Sequence, residues 1–129
     1  MEEYVIDTLV KKAKEASINA FVPDSNVAVG AAIAGERADY VGATVECSAK
    51  SAGCCAERVA LYNGISQGDT SFFAMAVYSA GDALPYPCGT CLQALSDFSD
   101  DMEIALVCEN DIKVVELKAL LPHPVKWED

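Results

Sequence analysis

The sequence of 129 residues predicts an α/β fold, a three-layer α/β/α arrangement around a mixed five-stranded sheet, in one domain spanning residues 1–129. Three observations carry this reading. Apolar runs of strand length alternate with segments of helical period along the whole chain. The first two strand-like runs are joined by the turn Gly35-Glu36-Arg37, so they must be antiparallel, whereas helices separate later strands and call for parallel crossovers. No Pro/Ser/Gly-rich linker, charge block or internal repeat divides the chain.

Each element follows from local pattern. Within residues 2–18, Val5, Leu9, Ala13 and Ala16 share one helical face, with Lys11, Lys12 and Glu15 largely opposite. Pro23-Asp24-Ser25 makes a turn. Val27 to Ile33 is a short apolar run, read as a buried strand, and Ala38 to Ala43 is its hairpin partner. Residues 44–53 are small and polar, a loop. Cys55 to Gln67 returns to helical spacing, with Gly68 suited to its C-terminal cap. Ser71 to Ser79 is a third strand, Pro85 to Pro87 a loop, and Gly89 to Phe98 a second core helix. Glu103 to Cys108 and the weaker Ile112 to Val115 are strands around the turn Asn110-Asp111. Val115 to Leu120 is a short helix, before an irregular tail with Pro122, Pro124 and Trp127.

Composition narrows the function. Nine Lys+Arg against 20 Asp+Glu give a net charge of −11. Nucleic-acid binding depends on cations that displace counterions from phosphates, so a polynucleotide partner is not expected, nor is an anionic membrane surface. The first residues, MEEYVIDTLVKKAKEAS, lack a basic stretch followed by an apolar one, which reads against a signal peptide. The expected compartment is the cytoplasm. In that reducing setting the six cysteines, at 47, 54, 55, 88, 91 and 108, read as metal ligands or core thiols rather than disulfides.

Two segments combine these thiols with helix starts: Cys55-Ala56-Glu57 and Pro87-Cys88-Gly89-Thr90-Cys91. The positive end of a helix favours thiolate. Cys55, Cys88 and Cys91 can close three corners of a Zn(II) tetrahedron, one metal per chain, leaving the fourth for water, which is the catalytic rather than the structural pattern. Glu57 follows the first ligand by two residues and is placed for proton transfer. A redox dithiol at Cys88/Cys91 would leave Cys55-Ala56-Glu57 without a role. Cys54 reads as core or pocket wall and Cys108 as core, while Cys47 suits either a pocket or a packed loop. His123 is not a ligand in this reading.

The C-x-E plus P-C-x-x-C pair is the three-cysteine form of the zinc-deaminase signature. Beyond it the sequence resembles the small homotetrameric cytidine deaminase family over nearly its whole length, through Phe21-Val22-Pro23-Asp24-Ser25, Val29-Gly30-Ala31-Ala32, Thr44-Val45-Glu46 and Leu120-Leu121-Pro122. The resemblance implies a cytidine-deaminase-like domain, a small nucleoside substrate and a homotetramer. It also implies Glu57 as the acid–base group and Glu46 as a ribose contact. The Ala56 N–H would hold the ring carbonyl, and Arg58 would donate to the cysteine sulfurs. Several positions depart from the family pattern. Thr44 stands where a ribose-binding Asn is usual, and Val27 where an aromatic packs on the nucleoside. Cys47-Ser48-Ala49-Lys50 replaces Asn-Ala-Ser-Tyr, and Val125 takes the place of a C-terminal aromatic, with Trp127 two residues on. Trp127 is open to three readings: pocket lid, surface anchor or subunit contact. The tail to Trp127 is also similar to blasticidin-S deaminase, which keeps a modified cytosine nucleoside, or another amino-heterocycle, as the alternative substrate.

Overall fold

The structure, a computed structural model, describes residues 2–127. Helix α1 (Glu3–Ser17) precedes the hairpin β1 (Val29–Gly35) and β2 (Asp39–Ala43). Then come α2 (Ala56–Ser66), β3 (Phe72–Ser79), α3 (Gly89–Ser96), β4 (Glu103–Val107), β5 (Ile112–Glu116) and the single turn α4 (Leu117–Leu120). The five strands form one sheet in the order β2-β1-β3-β4-β5. Strand β1 is antiparallel to both β2 and β3, so β2 and β3 run the same way and α2 crosses over β1 between them. Strands β3 and β4 pair in parallel through α3, and β5 closes the edge antiparallel to β4. The expected mixed sheet and parallel crossovers are therefore present.

Helix α1 covers one face of the sheet and α2, α3 and α4 the other. Alternation along each strand sorts the residues. Ala32, Ala34, Ala74, Ala76 and Ala105 meet Leu9 and Ala13 of α1. Ile33, Met75, Val77, Ile104 and Leu106 meet Ala60, Leu61, Leu92 and Leu95 beneath α2 and α3. Each of those large side chains contributes about 1.5–3 kcal/mol by leaving water. Both faces are covered, which is why β1 and β3 read as continuous apolar runs.

Boundaries differ where pairing, not composition, decides. Strand β1 begins at Val29, because the N–H of Val27 donates to Ser25 Oγ at 3.1 Å instead of to a neighbouring strand. Val115 and Glu116 belong to β5, since they pair with Ile104 and Glu103, and the last helix shortens to Leu117–Leu120. Helix α3 ends at Ser96, where Asp97 and Phe98 turn back onto Ala94 and Leu95. The loop at 44–53 holds a short 3-10 turn at Lys50–Ala52. Gly68 follows α2 with φ of 97°, the expected cap.

Two polar ties fix the periphery. Buried Asp69 accepts from the Arg37 N–H at 2.8 Å and the Tyr40 hydroxyl at 3.0 Å, binding the β1–β2 hairpin to the α2–β3 connection. Burial alone would raise the Asp69 pKa, but these donors outweigh it and hold the carboxyl below its ordinary value. In the tail, the Gln93 amide donates to Val125 O at 2.8 Å and accepts from Val125 N at 2.9 Å, while Lys126 Nζ donates to Ser96 O at 2.7 Å.

Candidate active site and metal centre

Cys55 is the N-cap of α2 and Cys88 the N-cap of α3, both with extended backbone and neither capping through its side chain. An Asn or Ser there would turn back to the helix N–H groups; these thiols are left for another partner. Cys91 sits one turn into α3 and is fully buried. The sulfurs of Cys55 and Cys88 are 4.0 Å apart, those of Cys88 and Cys91 3.5 Å, and all three lie within 4.8 Å of one another. Tetrahedral zinc with Zn–S bonds of about 2.3 Å separates its sulfurs by about 3.8 Å. The cluster therefore fits zinc in both spacing and donor type.

Arg58 bridges the two helices, donating from Nε to Cys91 Sγ at 3.4 Å and from Nη2 to Cys55 Sγ at 3.7 Å. Those bonds push the Arg58 pKa further up, so it stays a cation beside the thiols. Burial and the Glu57 charge push the Cys91 thiol well above its ordinary value. Burial works the same way on Cys88, but the N–H groups of Cys91 and Thr90 and the adjacent thiols bring it below the ordinary value. A bound divalent cation would override both shifts, because a coordinating thiol is deprotonated outright.

Glu57, in the first turn of α2, is 5% exposed, and burial raises its carboxyl above the usual range, with Arg58 partly opposing. It lines a cavity of about 390 Å³ together with Cys55, Cys88, Val27, Thr44 and Glu46. Thr44 and Glu46 are held extended by the chain on either side. Phe21 N donates to Thr44 O at 2.9 Å, Glu46 N to Phe21 O at 2.8 Å, and Val45 pairs reciprocally with Cys54. The Glu46 carboxylate accepts from the N–H groups of Asp24 at 3.0 Å and Ser25 at 3.1 Å. Its bonds with Ser25 depress its pKa, so it is an acceptor at neutral pH. A second cavity of about 300 Å³ adjoins the first along Thr44, Glu46 and Cys55, and Cys47, Cys54, Lys50, Asp24 and Arg58 also line it. Lys50 forms an ion pair with Asp24 across it.

The structure thus brings together Cys55, Glu57, Arg58, Cys88 and Cys91, with Val27, Thr44 and Glu46 on the same cavity. Ala56 heads α2, where the first N–H groups of a helix lack internal partners. Trp127 stands apart. It is 85% exposed beside Gln93, Asp97 and Val125, and does not line its own chain's cavity, so the lid reading fails within one chain. Cys108 is buried at the end of β4, as expected, with its thiol donating to Asp82 O. Sequence reasoning missed Ser25, Ser79, Leu84 and Tyr86, which also line the site. For Leu84 and Tyr86 the available signal was their place just upstream of Pro87-Cys88.

A three-cysteine site and a buried carboxylate at the starts of two helices, opening on a small cavity, define a zinc-dependent deaminase. The sequence model of the cytidine and deoxycytidylate deaminase zinc-binding region matches residues 3–107. The cytidine deaminase of Sporosarcina psychrophila is 35% identical over 127 residues, covering 96% of this chain and 93% of that protein. The cytidine deaminase of Halalkalibacterium halodurans is 32% identical, with 94% of each chain covered. Among solved structures, cytidine deaminase from Burkholderia pseudomallei superposes with a TM-score of 0.86 at 29% identity, over 97% of this chain and 100% of that one. The Mycobacterium tuberculosis enzyme gives 0.80 at 26% identity, over 96% and 98%. The chain belongs to the family of zinc-binding cytidine and deoxycytidylate deaminases. No helix among the described residues is long and apolar enough to cross a membrane.

Proposed function

We propose that this chain hydrolyses cytidine and deoxycytidine, exchanging the C4 amino group for a carbonyl oxygen from water and releasing ammonia. The observation that carries this is the buried Glu57 carboxylate sharing one nucleoside-sized cavity with a three-sulfur cluster and with Glu46. Cys55, Cys88 and Cys91 would hold the zinc, which when bound would lower the pKa of water toward neutrality and so supply a nucleophile. Glu57 takes one water proton and delivers it to ring N3, then carries the proton remaining on the new C4 hydroxyl to the departing amino group, which leaves as ammonia when the C4–N bond breaks. The Ala56 N–H donates to the ring O2 carbonyl. Glu46, with one oxygen engaged by Asp24 and Ser25, accepts from a sugar hydroxyl beside Thr44 and Val27. Three thiolates would overcharge the metal, and the two bonds from Arg58 withdraw electron density from them. The family likeness supports a homotetramer acting in the cytoplasm in pyrimidine salvage, with residues 1–129 as one catalytic domain. The exposure of Trp127 supports a contact with a neighbouring subunit.

The test is Glu57→Ala. The variant should hold about one zinc per chain and lose about 10²–10⁴-fold in turnover. A folded Glu57→Ala protein with near-normal ammonia release would end the proposal. An ammonia assay across cytosine, adenine and guanine nucleosides and bases sets the substrate. Activity on a modified cytosine nucleoside with none on cytidine would move the assignment to the alternative.

A further inference from the structure

Among the described residues, Tyr86 is the one aromatic side chain lining the cavity of Glu57 and the metal cluster; Val27, Val29 and Leu84 are aliphatic, and Ser25 and Ser79 polar. It stands between Pro85 and Pro87, whose rings fix the backbone on both sides. Its N–H donates to Leu84 O at 3.0 Å. The turn is therefore stiff, and the ligand Cys88 lies only two residues further on. Tyr86 is nonetheless 49% exposed, so much of the residue's surface stays uncovered at a cavity wall. A flat, polarisable ligand recovers that area, because aromatic rings favour offset stacking on other π faces.

We propose that Tyr86 is the specificity-determining residue for the ring of the substrate, stacking on the pyrimidine while Glu46 and Thr44 take the sugar. This rests on the proposed function. Stacking reads the face of a heterocycle and not its edge or its sugar. Tyr86 therefore selects for planarity and is indifferent to the 2′-hydroxyl.

Steady-state kinetics on cytidine and deoxycytidine, together with titration calorimetry of the product uridine, test it on the zinc-loaded protein. Tyr86→Ala should raise KM for both substrates by the same factor, about 5- to 150-fold, the range that loss of one base–aromatic stack produces. Its kcat should stay within about threefold and the uridine Kd should rise in step with KM. Tyr86→Phe should restore all values to within about twofold, and Tyr86→Leu, of similar bulk, should fall between. The inference is overturned by an unchanged KM and uridine Kd in Tyr86→Ala when the wild type turns over cytidine, and the proposed function then still stands. It is equally overturned if Tyr86→Phe is as damaging as Tyr86→Ala, which would assign the role to the hydroxyl. A wild type inert on cytidine overturns both readings together.

Discussion

Towards α1 the sheet presents Ala32, Ala34, Ala74, Ala76 and Ala105; towards α2 and α3 it presents Ile33, Met75, Val77, Ile104 and Leu106. Side-chain size at the contact sets how closely a helix can approach. On the alanine face α1 comes so near that a Cβ on Gly30 would lie 2.0 Å from the Ala13 carbonyl oxygen. Packing that tight leaves no room for a ligand. On the other face the large side chains hold two helices off the sheet, and their starts meet beside the cavity. One point on that face reverts to close approach. A Cβ on Gly42 would lie 2.3 Å from Ala60 N and 2.7 Å from Ala56 O, so the first turns of α2, with Cys55 and Glu57 beside them, are seated directly on β2. One face is closed packing, and the other is packing with a built opening.

Substitutions that exchange the character of the faces should separate them. The largest loss is expected for Met75→Ala, about 2–5 kcal/mol from lost burial and the cavity left behind. Ala76→Leu on the opposite face should cost about 1–3 kcal/mol by overpacking under α1. Denaturant unfolding of the two variants checks the order. Similar losses at both positions would erase the distinction. The glycines sharpen it further. Gly30→Ala and Gly42→Ala should each destabilise by roughly 1–3 kcal/mol or more, since a backbone must shift. Only Gly42→Ala should also lower zinc content and kcat per folded molecule, because the backbone that moves there carries Glu57. Equal kcat in the two proteins would show that the seat of α2 has slack.

The smallest effect is expected away from both faces, at Asp69. Its folded pKa is held below the unfolded one, so its contribution is fully present above about pH 4. That contribution is lost as pH falls through the depressed folded value. Asp69→Asn should melt a few degrees below wild type at pH 7, with the gap closing in acid. A gap that widens in acid would reverse the sign assigned here.

The metal cluster was legible because its chemistry is local: C-A-E and P-C-G-T-C each bring ligands within one helix start, and spacing alone selects Cys55 over Cys54. The alternation of elements was legible for the same reason. What escaped depends on partners far away in sequence. Whether Val27 or Val29 opens β1, or Val115 ends a strand, is settled by hydrogen-bond register with β2, β3 and β4. Tyr86 and Ser79 join the site only because β3 and the loop after it end beside the start of α2. The strand order, with β1 between β2 and β3, is likewise a property of the assembled sheet and of no single segment.

The grip of Gln93 on Val125 engages only main-chain atoms of the tail, one bond through the carbonyl and one through the N–H. Any residue at position 125 satisfies both bonds except proline, which lacks the second. This part of the anchorage is therefore indifferent to what the tail displays, whereas the second tie, from Lys126 Nζ to Ser96 O, depends on a side chain. Trp127 can be exchanged, and the character of the presented surface with it, while the anchorage on α3 is inherited unchanged.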